Sequence, residues 1–211
     1  MDVLFVVPSM SPYLLQECHG SIELAKILKS KGISVDLLRY WQADSQLDDF
    51  TRLVANITNC IEKINPRVVS FYCRCDIYHI VLSVSKEIKE HHPEMTILFG
   101  GPQAEVSAYE TLKNFPYVDY ICCGEGENTI APFVSSILSG HPDVSIDGLM
   151  YISDDGIIIK NELPKLINDN YKIDYDYYQF IPNSVIENSR QTTIEVGRGC
   201  PFNCSFCSSW C

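Results

Sequence analysis

Nowhere in these 211 residues is there an apolar run approaching the roughly 20 residues needed to cross a bilayer. Met1-Asp2 brings no basic leader, and the short run Val3 to Val7 is stopped by Pro8. Both absences predict a cytoplasmic chain with no membrane partner. Basic side chains are also scarce: 16 Lys and Arg against 27 Asp and Glu leave a formal charge of -11. That balance opposes the phosphate neutralisation behind nucleic-acid binding, so no nucleic-acid partner is expected. What is plentiful is apolar content, at 46%, enough for a core and, at this length, for one full domain plus a remainder. Cysteine is plentiful too. Ten in a chain without an export signal point to reduced thiols, some bound to metal, rather than to a disulfide scaffold.

From the N-terminus to about residue 140, short β-branched runs alternate with helical stripes, the pattern of a parallel sheet covered by helices on both faces. Strands are expected over 2–7, 33–38, 68–72, 96–99 and 117–122. A helix over 20–31 should end at Gly32 in a left-handed cap. Phe50, Leu53, Val54, Ile57, Ile61 and Ile64 keep helical spacing up to Pro66. A third helix runs through Val81, Val84 and Ile88 to His91-His92-Pro93, a fourth passes Tyr109 and Leu112, and a fifth carries Ile130, Phe133, Val134, Ile137 and Leu138. Five such repeats give an α/β fold with a doubly wound, five-stranded parallel sheet, flavodoxin-like, over residues 1–140. Right-handed crossovers and the order 2-1-3-4-5 place the switch point between the first and third strands, where open sheets bind ligands at their carboxyl ends. The loops over 8–19 and 73–78 border it.

Beyond Gly140 the grammar changes. Residues 148–152 and 157–160, joined by Ser153-Asp154-Asp155-Gly156, read as an antiparallel hairpin. Residues 161–190 are rich in Asn, Asp and Tyr without a sustained period and read as an irregular strap, so 141–191 is taken as hairpin and linker. A new strand over 192–196 enters Gly197-Arg198-Gly199-Cys200 and opens a last region over 192–211.

Cys200, Cys204 and Cys207 set three thiols at CxxxCxxC spacing in one loop, close enough to converge on one metal centre. Thiolates suit iron–sulfur clusters and zinc. A four-iron cluster held by three cysteines leaves one iron open, as substrate binding at a metal requires. Cys211 extends the run and could instead close a structural zinc or a fully ligated cluster, although such a site has no need of the strand and glycine-rich lead-in. Cys73, Cys75, Cys122 and Cys123 lie at strand ends, where packing is the default role and a metal-binding Cys73–Cys75 pair the alternative. Glu125 and Glu127 suit general acids or partners of a helix dipole, and the amides after Glu127 could face an anion.

The cysteine spacing, the lead-in Gly197-Arg198-Gly199-Cys200-Pro201 and Phe206 before the last cysteine resemble the radical S-adenosylmethionine enzymes. The resemblance implies a four-iron four-sulfur cluster on Cys200, Cys204 and Cys207, with S-adenosylmethionine on the open iron and Phe206 near its adenine. It further implies a 5′-deoxyadenosyl radical formed on reduction by a partner such as flavodoxin or ferredoxin. Gly100-Gly101-Pro102, Asp119-Tyr120 and Gly124-Glu125-Gly126-Glu127, in a doubly wound domain ahead of that motif, resemble the cobalamin-dependent class. By that likeness Pro8, Ser9, Gly100, Gly101, Gly124, Glu125 and Gly126 border cobalamin, and the whole enzyme transfers a methyl group or rearranges a carbon framework in a small-molecule or peptide substrate. The base-off pattern Asp-x-His-x-x-Gly is missing, since Cys18-His19-Gly20 lacks the Asp, so no histidine is expected on cobalt. The family's radical domain is a partial barrel, so this chain is expected to be the front of a longer enzyme, inactive alone and without an assignable catalytic residue. The competing reading is a flavodoxin-like binding module with a degenerate cobalamin site and a structural metal on the cysteines; flavin is a further option at such a switch point.

Overall fold

The computed structural model describes residues 1–8, 19–40, 50–167, 176, 179–188, 202, 204, 205 and 207. Central strand β1 (Val3–Pro8) is buried along its whole length, the pattern of a parallel strand covered on both faces. It pairs in parallel with β2 (Val35–Tyr40) and β3 (Val68–Tyr72), and β4 (Thr96–Gly100) and β5 (Tyr120–Cys122) continue outward from β3. The order 2-1-3-4-5 expected from the sequence is the one observed. The hairpin strands β6 (Leu149–Ile152) and β7 (Ile158–Lys160) then add antiparallel to β5, giving one seven-stranded sheet, mostly parallel.

Period-two alternation along β1 divides the core. Leu4 and Val6 face helices α2 (Phe50–Ile64) and α3 (Tyr78–His91), followed by the short α4 (Pro102–Val106) and α5 (Ala108–Asn114). Val3, Phe5 and Val7 face α1 (His19–Ser30) and α6 (Ile130–Leu138). The apolar stripe of α2 buries Val54, Ile57 and Ile61, and its ends fall where periodicity puts them. Gly32 closes α1 at φ +77°, with the Ile33 amide donating to Leu28 O at 3.1 Å.

Three expectations need correction. The strand expected over 117–122 is only Tyr120–Cys122, because the Val118 amide turns back to Phe115 O and the Asp119 carboxylate takes the Ile97 amide at 2.7 Å. The single helix past Tyr109 is two, broken where the Ser107 hydroxyl donates to Gln103 O at 2.7 Å. Within the strap, α7 (Asn183–Asn188) forms next to Ile181, which is 2% exposed and packs into the α1–α6 side of the core. The strand expected over 192–196 lies outside the described residues. Among the described residues no helix is long and apolar enough to cross a membrane.

Candidate functional site

At the carboxyl ends of β1, β3, β4 and β5 lies a cavity of about 440 Å³. Phe5 and Leu24 give it apolar surface, while Ser21 and Ser70 contribute hydroxyl-bearing side chains that are only 4% and 5% exposed. Gly100 and Gly101 from the end of β4 and Gly124, Glu125, Gly126 and Glu127 after β5 complete its wall, with Tyr72 beside them. The described lining includes two carboxylates and no Lys, Arg or His.

The glycines have distinct reasons. Among the described residues a Cβ on Gly100 would meet nothing within 4 Å, so this stretch of backbone is bare toward the cavity. Gly101 sits at φ +93°, and a Cβ there would lie 2.9 Å from the Tyr72 ring and 3.0 Å from Cys73 O. The ends of β3 and β4 are tied at this point, with the Cys73 amide on Gly100 O at 2.8 Å and the Gln103 amide on Cys73 O at 3.1 Å. Glycine at 101 thereby leaves room for the Tyr72 ring.

The turn before α6 is bonded internally at two of its amides. The Thr129 and Ile130 amides donate to Gly126 O at 3.1 and 2.8 Å, and the Thr129 hydroxyl donates to Asp147 O at 2.8 Å. These two amides are therefore satisfied inside the turn. Glu125 Oε2 accepts the Ile167 amide at 2.7 Å, which gives this carboxylate a structural partner on the strap.

Asp119-Tyr120, grouped above with the ligand loops, belongs to the opposite end of the sheet. Asp119 precedes β5 and pairs with Lys89 at 2.8 Å. Burial raises its carboxyl pKa, opposed by the Ile97 amide and Lys89. Tyr120 packs edge-on against Phe133 at 4.8 Å. A larger recess of about 840 Å³ opens there, but its cations are committed: Arg67 donates to Ile137 O and Leu138 O, and Lys89 to Pro93 O.

Burial pushes the Cys73 thiol well up, that of Cys122 to about 12 and that of Cys123 to about 11, so all three are packed thiols. Cys75 is exposed and does not pack. Among the described residues no three His, Cys, Asp or Glu side chains, Cys73 and Cys75 included, could hold a metal. Pro8 closes β1 opposite Tyr40 rather than lining the cavity. Cys204 and Cys207 are half-buried, the Cys207 amide donating to Cys204 O at 3.0 Å. Ser9, Cys200, Phe206 and Cys211 lie outside the described residues.

The sequence reading singled out the glycines and Glu125 but missed Phe5, Ser21, Leu24, Ser70 and Tyr72. Only Ser70 carried a visible signal, a hydroxyl inside the apolar run Val68-Val69-Ser70-Phe71.

The B12 binding domain family matches residues 20–134, more than half the chain. The chain is 28% identical over 169 residues to the uncharacterized methyltransferase PH0819 of Pyrococcus horikoshii, covering 79% of this chain and 36% of that protein. It is 26% identical over 154 residues to the cobalamin-dependent radical SAM methyltransferase TokK of Streptomyces tokunonensis, covering 68% and 22%. The chain therefore spans about a third or less of the length of these relatives. Among solved structures, the radical S-adenosylmethionine methyltransferase TsrM from Kitasatospora setae has a TM-score of 0.57 at 16% identity, covering 77% of this chain and 30% of that one. The cobalamin-dependent S-adenosylmethionine radical enzyme OxsB, with aqua-cobalamin and S-adenosylmethionine bound, has a TM-score of 0.60 at 14% identity, covering 79% and 23%. These two show the same fold.

Proposed function

Because the chain belongs to the B12-binding domain family, we propose that its cavity at the carboxyl ends of β1, β3, β4 and β5 holds cobalamin. The carrying observation is the bare backbone of Gly100 beside apolar Phe5 and Leu24 and the buried serines Ser21 and Ser70. Such a lining fits a bulky, mostly apolar ligand with a few polar atoms. Gly100 admits close approach, Ser21 and Ser70 offer hydrogen bonds, and Leu24 excludes water. Bound there, cobalamin would supply a cobalt centre able to carry a methyl group.

The whole protein, in this reading, is a radical S-adenosylmethionine enzyme, methyltransferase-like or a rearranger of carbon frameworks. Cys200, Cys204 and Cys207 would hold a four-iron four-sulfur cluster, Phe206 would pack near the adenine of S-adenosylmethionine, and a flavodoxin or ferredoxin would deliver electrons to a cytoplasmic enzyme. A small-molecule or peptide substrate is the expected acceptor. Support comes from the thiolate spacing and from relatives of that class.

Titration with hydroxocobalamin tests the cofactor. Saturable one-to-one binding with a visible-spectrum shift is expected, and no shift from the folded chain would leave a binding module with a degenerate site. For the cluster, a Cys211→Ala variant reconstituted anaerobically should keep its iron, and loss of iron would favour four-cysteine ligation.

A further inference from the structure

Residues 161–167 run past β7 and cross the loop between β5 and α6 without forming a helix or strand. They are nevertheless pinned. Asn161 Nδ2 donates to Val144 O and Ile146 O, both at 2.7 Å, and Glu162 O accepts the Gly148 amide at 2.7 Å. Asn128 Nδ2 donates to Lys165 O at 3.1 Å, and the Ile167 amide donates to Glu125 Oε2 at 2.7 Å. Pro164 fills a notch made by two glycines: a Cβ on Gly124 or Gly148 would come within 3.2 Å of its ring, and both have positive φ. Leu163 and Leu166 gain little from this placement, being 49% and 75% exposed. Polar contacts and one proline, not apolar burial, hold the segment down.

The loop that receives it is also a wall of the cavity, through Gly124, Glu125, Gly126 and Glu127. Glu125 belongs to both surfaces. We propose that residues 161–167 form a latch coupled to the cavity, so that filling the cavity tightens the strap leading toward the cysteine loop. A ligand beside Glu125 removes competing water, which strengthens the bond from the carboxylate to the Ile167 amide. It also restrains a loop whose Gly124 stands at φ +77°. Linkage requires the reverse: a secured strap raises ligand affinity by the same factor. Asn128 and Glu125 are the positioning residues, Asn128 without lining the cavity itself.

The coupling rests on the cobalamin reading for its ligand, and hydrogen exchange on the 211-residue chain separates the two. With saturating hydroxocobalamin, exchange at 161–167 should slow about fivefold, a coupling at the lower end of the usual range. Asn128→Ala should speed exchange there and weaken hydroxocobalamin binding about threefold, as expected for loss of one neutral hydrogen bond. Glu125→Ala should abolish the ligand's effect on the strap, and Glu125→Gln should restore it, because its amide oxygen accepts the same N–H. Stoichiometric hydroxocobalamin binding with unchanged exchange at 161–167, or a Glu125→Gln variant behaving like Glu125→Ala, would overturn the latch. If hydroxocobalamin does not bind, the cofactor reading fails; Asn128→Ala leaving exchange at both 161–167 and 124–127 unchanged would then overturn the latch independently.

Discussion

The two ends of the sheet carry recesses of different kinds. At the amino ends the larger one, about 840 Å³, is rimmed by charges that already have partners, with Lys89 on Asp119 and Arg67 on the last carbonyls of α6. At the carboxyl ends the smaller one, about 440 Å³, offers bare glycine backbone and buried serines. Size alone favours the amino end. The kind of group left facing the space favours the other, and on the proposed reading the amino end serves stability and the carboxyl end binding.

The largest effect expected on this contrast is at Gly101. Gly101→Ala forces a Cβ to 2.9 Å from Tyr72 at a φ of +93°, which should cost about 1–3 kcal/mol in denaturant unfolding and reduce hydroxocobalamin binding at least tenfold. Lys89→Ala should act at the other end only, costing about 1–2 kcal/mol by leaving the Asp119 carboxylate without its ion pair, with an unchanged hydroxocobalamin dissociation constant. Equal loss of binding in both variants would erase the contrast. Ser70→Ala should show the converse, a few-fold weaker binding at nearly constant stability, since its hydroxyl lines the cavity.

The smallest effect concerns the thiols near the binding end. Iodoacetamide at pH 8 should label exposed Cys75 in the folded chain while sparing Cys73, Cys122 and Cys123, as read by mass spectrometry. The raised thiol pKa of Cys122, about 12 against 9.0, means its contribution to stability is full below pH 9 and is lost as pH rises toward 12. Cys122→Ala should therefore flatten the alkaline limb of the stability profile.

Much of the fold was legible in the sequence because its signals are local. The α2 stripe from Phe50 to Ile64, the cap at Gly32 and the all-apolar β1 each follow from one periodicity. Where reading failed, the cause was tertiary. β5 is shortened by a carboxylate reaching Ile97, and α7 forms beside a single buried anchor, Ile181. The site was half legible. Gly100, Gly101, Gly124 and Gly126 announce tight backbone, but Phe5, Ser21 and Leu24 reach the cavity from elements far away in sequence. Asp119-Tyr120 went to the wrong end because composition does not reveal where a three-residue strand begins.

The most direct measurement is calorimetric titration of hydroxocobalamin into the chain and into Gly100→Leu. A Cβ at position 100 meets no other described residue within 4 Å, its chain neighbours aside, so the variant should unfold at the wild-type denaturant midpoint. The expected result is one equivalent bound by the wild type and none by the variant. Equal binding by both, or no binding by a folded wild type, would contradict a cobalamin site at the carboxyl ends of these strands.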